Sequence, residues 1–254
     1  MSPFDRRFDP ADLPKHMRGL PFDHRGFPVP RFVSWFIDGK QAPFGKGTPD
    51  FRVIDPVHYQ NCIKKHACWI CGEPMGRHTV FVIGPMCAIN RISSEPPSHR
   101  SCAEFAAKVC PFLSRPLAKR GLSPLPEKTI SAPGTPLYHN PGVTCLWETQ
   151  DFELFLAGDR GNLIHLGDPE SVDWFAHGRK AEFKEVADSL NSGLPSLITV
   201  AQAEGAEALK VLNWMIHRFI NMDILPPSIL HLEMNIGVSL NGHPTSGTES
   251  RRVP

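Results

Sequence analysis

No stretch of this sequence approaches the run of about eighteen apolar residues that a membrane-crossing helix needs. The first residues, Met1-Ser2-Pro3-Phe4-Asp5-Arg6-Arg7, lack the apolar segment of a secretory leader. Charge of one sign is missing too. The formal net charge is +1, which excludes any bulk electrostatic case for nucleic acid or membrane and leaves only local patches. Gly45-Lys46-Gly47 is too short and out of context for a phosphate loop. These absences point to a cytoplasmic protein with no membrane partner. In a reducing compartment, the Cys-x-x-Cys pair among its seven cysteines favours metal or redox chemistry over a structural disulfide.

Proline is abundant. The 26 prolines are roughly twice ordinary usage and gather before residue 60, between 111 and 141, and near the C-terminus. That distribution predicts much extended chain on a modest core. With 254 residues, an α+β fold is expected, with small antiparallel sheets around a metal element and a helical C-terminal part. The expected divisions are an extended arm over 1–27, an α+β metal-binding region over 28–115, a Pro-rich linker over 116–142, a β-hairpin plus helical region over 143–222, and an irregular tail over 223–254. The arm competes with a partly ordered tail as a reading of the first residues. One compact unit is expected rather than two independent domains.

Residues 31–37 read as a strand ending at the turn pair Asp38-Gly39, with residues 51–54 as its partner. Asp55-Pro56 opens a helix to about Lys65, capped by the Asp55 carboxylate. Residues 79–93 hold two apolar runs about Gly84-Pro85 and predict a hairpin or bent strand pair. A helix follows over 97–110, stopped by Pro111. Residues 143–148, 152–157 and 162–166 read as strands. Beyond Gly167 the pattern turns helical: residues 171–176 with Gly178 as stop, 181–191 stopped by Gly193, a third helix from Pro195, and 206–222, whose stripe is Leu209, Leu212, Met215, Ile216 and Phe219. Residues 168–222 thus form a helical hairpin or bundle that packs on the sheet or mediates a homodimer.

The strongest chemical signal lies between residues 68 and 102. Cys68 and Cys71 bracket two residues, and Gly72 lets the backbone turn so that both sulfurs face one centre. His99 and Cys102 follow a Pro-Pro pair at i, i+3 spacing, which puts two side chains on one helix face. Knuckle, hairpin and helix in that order resemble the treble-clef zinc finger superfamily over about 45 residues. On that resemblance Cys68, Cys71, His99 and Cys102 are the ligands of a structural Zn2+. The competing readings are a redox pair or two core cysteines, and an iron-sulfur cluster on Cys68, Cys71, Cys102 and Cys110. Eight residues of straight helix span about 12 Å, too far for Cys102 and Cys110 to share a small cluster. Residues 20–115 also resemble bacterial and phage proteins that share Cys-Trp-x-Cys-Gly, Phe81 to Ala88, Asn90-Arg91, Glu95 to His99 and Cys110 to Leu113, a resemblance that adds no mechanism.

Two enzyme classes with similar motifs fit less well. His-Asn-His nucleases need a base histidine inside the hairpin, where His78 lies only at the edge and Asn90 is unsupported. Zinc deaminases place a His-x-Glu before their cysteine pair, and none precedes Cys68. Asn90, Arg91, Ser93, Ser94 and Glu95, with Arg100, form a polar stretch that suits ligand or phosphate recognition. The competing roles are helix capping by Glu95 and Ser98 and a solvated Arg91. Cys62 and Cys87 read as buried residues rather than nucleophiles.

Basic residues gather at Lys64, Lys65, His66, Arg77, His78, Arg91, Arg100, Lys108, Arg115, Lys119 and Arg120, while residues 148–188 are rich in acids. This asymmetry supports nucleic-acid binding, unless the two halves neutralise each other or a partner. Trp35 and Trp69 suit a core better than base stacking. The expected function is therefore a zinc-stabilised binding protein, for nucleic acid or a protein partner. The alternative is an enzyme with a polar pocket at residues 90–99.

Overall fold

The structure, a computed structural model, describes residues 8–115, 118, 119, 121, 125, 139–158 and 161–227. Three small antiparallel sheets and six α-helices make up the described chain, an α+β fold. The expected linker over 116–142 and the end of the tail lie largely outside the described residues.

The first sheet has the order β2-β1-β3, from β1 (Val33–Ile37), β2 (Lys40–Ala42) and β3 (Thr48–Ile54). Asp38 and Gly39 both take positive φ, the two-residue turn that suits the twist of a hairpin. The immediate partner of β1 is therefore β2, and β3 pairs on its other side. Helix α1 (Pro56–Lys65) begins as its residues dictate: Asp55 accepts from the amides of Val57 and His58, and Pro56 stands at the first position.

The second sheet, β10-β9-β6-β4, is the centre of the molecule. It contains β4 (Thr79–Ile83), β6 (Thr144–Thr149), β9 (Ser171–Ala176) and β10 (Arg179–Lys180). The expected hairpin over 79–93 is not formed. Its second half is helix α2 (Pro85–Asn90), started by Pro85, and the two-residue strand β5 (Ile92–Ser93). β4 pairs with β6 instead, and β5 joins the third sheet, β5-β8-β7, with β7 (Phe152–Leu156) and β8 (Asn162–Leu166). The apolar run after Gly84 is a short helix because Pro85 supplies the right φ and no amide is needed there.

Residues 171–176 are strand β9, not a helix. The side chains of Trp174 and Ala176 enter the main core and Phe175 enters a smaller cluster on the other face, as a strand covered on both sides requires. His177 and Gly178, both at positive φ, turn β9 into β10 rather than ending a helix. The next correction concerns the helices. Residues 183–204 form one helix, α5 (Phe183–Glu204), through both Gly193 and Pro195. Gly193 is a packing notch, since a Cβ there would lie 2.8 Å from Cε of Met86 on α2. Helix α6 (Ala206–Ile220) follows, burying Leu212, Ile216 and Phe219. The main core draws on Phe81, Trp147, Ile164, Trp174, Leu190 and Ile216, so the two halves of the sequence share it.

Helix α3 (Arg100–Val109) starts later than its sequence predicts. Pro97-Ser98 is held extended because Ser98 exchanges both backbone hydrogen bonds with Val80 of β4. His99 becomes the N-cap residue, and neither Glu95 nor Ser98 caps the helix. Pro111 does not stop the chain from coiling; it opens the short helix α4 (Pro111–Ser114).

Candidate metal centre

Cys68, Cys71, His99 and Cys102 come together, with their ligand atoms all within 4.8 Å of one another. Four donors around a tetrahedral zinc with bonds of about 2.3 Å to sulfur sit about 3.8 Å apart, so the group is of the size such an ion needs. The Cys71 sulfur is 3.3 Å from His99 Nδ1, and the Cys102 sulfur is 3.9 Å from the same atom. Cys68 and Cys102 are wholly buried and Cys71 nearly so.

The backbone builds this cluster from two sides. Over the knuckle, Gly72 donates to the Cys68 carbonyl, and the Cys68 amide donates to the Glu73 carbonyl. Gly72 sits at φ +84°, the left-handed turn that points both sulfurs inward. From the helix side, α3 presents Cys102 in its first turn, one turn beyond His99 at the cap. Amide groups then face the sulfur of Cys68: those of Cys71 and His99 lie 3.5 and 3.4 Å from it. Such donors stabilise a thiolate.

The tautomer of His99 follows from its neighbour. Nε2 lies 3.1 Å from the carbonyl oxygen of Pro74, and a carbonyl only accepts, so Nε2 carries the proton. Nδ1 thus faces the three sulfurs, and in the neutral ring it turns a lone pair toward them, an orienting arrangement typical of metal-ligating histidines. Three thiols packed this close share one negative charge most easily at Cys68, which hydrogen bonds from Cys102, then Cys71, hold far below the ordinary thiol range. The Cys68 hydrogen bond pushes Cys102 well above that range. Cys102 pulls Cys71 down, but the Cys68 thiolate and burial outweigh it and leave Cys71 raised to about 12. The Cys68 contact likewise raises His99. A dication held by this group would take the place of the shared protons.

The remaining thiols stand apart. Cys110 lies at the far end of α3 and outside the cluster, so a four-thiolate set with Cys110 is not assembled. Burial pushes the Cys62 thiol up to about 12 and the Cys87 thiol to about 11, which makes both poor nucleophiles. Trp69 stacks on Phe32 and His58 within the core, and Trp35 is also buried.

The polar stretch beside the site is engaged with its own fold. The Asn90 side chain accepts from the Ile92 amide. Arg91 is buried against the Trp147 ring and pairs with Asp168 at 2.7 Å. Ser93 and Glu95 bond to each other. Ser94, half-buried, lies between β5 and α3. Arg100 is held by Glu104, Glu148, Ser171 and Asp173. A cavity of about 720 Å3 lies between Asp168 to Trp174 on one wall and Met222 to Pro227 on the other, so that the Arg91 partners Asp168 and Met222 and the Arg100 partners Ser171 and Asp173 line it.

A further feature was not expected from sequence: residues 8–30 cover the cluster. Leu13, Met17 and Leu20 pack with Cys68, Ile70, Cys71 and Cys102 in one hydrophobic cluster. His16 stacks on the His99 ring, with centroids 4.1 Å apart and planes 8° from parallel. In the sequence, Leu20-Pro21-Phe22 and Phe27-Pro28-Val29-Pro30 read as pins of an extended arm on the core, with nothing to say that the arm lies over Cys68, Cys71, His99 and Cys102. Among the described residues no helix is long and apolar enough to cross a membrane. The fold and site define a mixed α+β protein with a Cys3His group able to hold a metal ion. Comparison with protein-family models, curated proteins and solved structures found no match to the chain.

Proposed function

We propose that this is a zinc-stabilised binding protein of bacterial or phage type. One Zn2+ on Cys68, Cys71, His99 and Cys102 staples the fold, and the surface engages a protein partner. The carrying observation is the set of four donors within 4.8 Å, three buried thiols and the half-buried His99. Structural zinc takes four protein ligands, whereas catalytic zinc keeps a position open. Three thiolates and one imidazole favour zinc over harder ions, and free thiols suit a reducing, cytoplasmic setting. The knuckle and helix-borne ligand pairs support a treble-clef-like relationship, although the segment between them is not a hairpin.

A protein partner is favoured over nucleic acid because two arginines of the basic half are neutralised internally and His78 also meets a carboxylate. Arg91 pairs with Asp168, Arg100 with Glu148 and Asp173, and His78 with Glu170. Apolar side chains meanwhile reach solvent on α6, at Val211 and Trp214, and on β7, at Leu154, Phe155 and Leu156. A second copy docking through α6 is one form such a partner takes. The enzyme alternative draws no support from residues 90–99, whose polar groups bond within the loop and its neighbours.

Elemental analysis of protein purified without added metal tests the reading. One zinc per chain is expected, with its loss in Cys102→Ser. Iron with visible absorbance, or no metal, overturns it. Nucleic-acid affinity is expected to be undetectable even at low salt; binding that weakens steeply with salt would restore the nucleic-acid version.

A further inference from the structure

We infer that the N-terminal arm is the cover of the metal centre and that His16 is a positioning residue for the ligand His99, so that metal binding and arm docking are coupled. This inference rests on the metal-site reading above and concerns the regulation of that site.

The arm and the ligands share one packing unit. Met17 and Leu13, each 2 % exposed, lie against the same cluster as the sulfurs of Cys68, Cys71 and Cys102. Phe8 extends the contact onto α3 through Phe105, ring to ring at 5.6 Å. The arm is closed on itself and then stitched to the knuckle. Asp23 and Phe27 hydrogen-bond across a turn, Val29 donates to Pro21, and the Arg31 amide donates to Ile70 at 2.7 Å. The one-turn helical segment Lys15–Met17 sets its middle and last residues to different tasks. Met17 points into the cluster, and His16 lies flat over His99.

The His99 ring is thus fixed on three sides. Its Nε2 edge is held by the Pro74 carbonyl, its Nδ1 edge faces the sulfurs, and one face is covered by His16. The sulfurs are buried, so an external chelator reaches the metal only after part of this cover lifts. Coupling of this kind is reciprocal: if the metal favours the docked arm, undocking the arm weakens the metal by the same factor. Stacking needs a flat ring and no particular nitrogen, which gives a specific signature.

The test uses the full chain loaded with Zn2+ and follows transfer of the metal to a chromophoric chelator. His16→Ala and Met17→Asp are expected to release zinc at least tenfold faster than the unaltered protein, and His16→Phe at close to its rate. Absorption of the Co2+-substituted forms checks that all retain the three-sulfur, one-nitrogen site. Trypsin cleavage after Lys15 and Arg18 is expected to accelerate when the metal is removed. Release at the unaltered rate in all three variants, or cleavage insensitive to metal, overturns the inference. His16→Phe as fast as His16→Ala overturns the stacking role. If the unaltered protein binds no zinc, the metal-site reading itself fails; bound zinc with unchanged release rates sinks the coupling alone.

Discussion

Arg100 opens α3 with its guanidinium among Glu104, Glu148 and Asp173, and it ties that helix to two strands of the central sheet. About a third of its side chain is exposed, so solvent screens part of the attraction. An exposed pair contributes about 0.2–1 kcal/mol, and breaking a buried one costs about 3–5 kcal/mol. Arg100→Ala leaves Glu148 without its cation, while Glu104 keeps Lys108 and Asp173 keeps Lys180, and is expected to cost about 1–3 kcal/mol, measured by denaturant unfolding. Nucleic-acid or phosphate binding, if any, is expected to be unchanged by it. At Gly178 two requirements coincide: φ is +73°, and a Cβ would lie 2.7 Å from the Lys108 carbonyl oxygen. Left-handed backbone costs a residue with a Cβ about 1–2 kcal/mol before any clash. Gly178→Ala is therefore expected to lower stability by about 2 kcal/mol or more, read from the same unfolding curves.

At the scale of elements, α5 is the least obvious helix in the sequence. Pro195 lies in its interior, where it removes the amide that would bond the carbonyl four residues back and costs about 3 kcal/mol. Pro195 also restricts the unfolded chain, which returns about 0.4–1 kcal/mol. Its side chain is exposed. Pro195→Ala is thus expected to stabilise the protein by about 2–2.6 kcal/mol and to raise its Tm. A lowered Tm would show that the helix is held by packing specific to the proline ring. The same helix marks the limit of what the sequence discloses. Gly193 and Pro195 carry the local signature of a stop, and only the close approach of Met86 on α2 explains the glycine. The run 171–176 has both helical spacing and strand composition, and its pairing with β6 decides the matter. Pro85 after Gly84 signals a break, and the chain beyond it coils because β4 finds its partner about sixty residues later. By contrast, α1, β6, β7, β8 and the Cys3His cluster were legible because each is written in local chemistry: a cap and proline, alternation, and paired donor spacing. The arm's place over the ligands was not, because nothing within residues 8–30 names what their apolar side chains will meet.

Over the whole molecule, acidic and basic halves meet in several pairs. The Arg91 hydrogen bond, followed by the charges of Arg91 and Arg218, holds Asp168 below the usual carboxylate range, and the Arg52 hydrogen bond does the same for Asp50. A carboxyl lowered on folding contributes stability that is fully present above its unfolded pKa, about 3.9. That stability is lost as pH falls through the lower folded value. Metal binding needs deprotonated thiols and a neutral imidazole, whose ordinary values are about 8.5 and 6.5. Acidification is therefore expected to act in two steps. Zinc leaves first, at a pH above 4, and the central sheet unfolds later, below about 4. Zinc release and far-ultraviolet circular dichroism recorded along one titration check this; a single coincident transition would mean that the sheet depends on the metal.

The hydrophobic cluster around the ligands is assembled from residues 8–106 alone. The central core needs β6, β9 and α6, and so closes only with residues as far along as 219. During synthesis, every group that the metal centre requires has left the ribosome while β4 still has one edge without its strand. An ion bound there would thus hold β4 and the start of α3 side by side, through the Val80–Ser98 bridge, and keep that edge in place until its neighbour emerges.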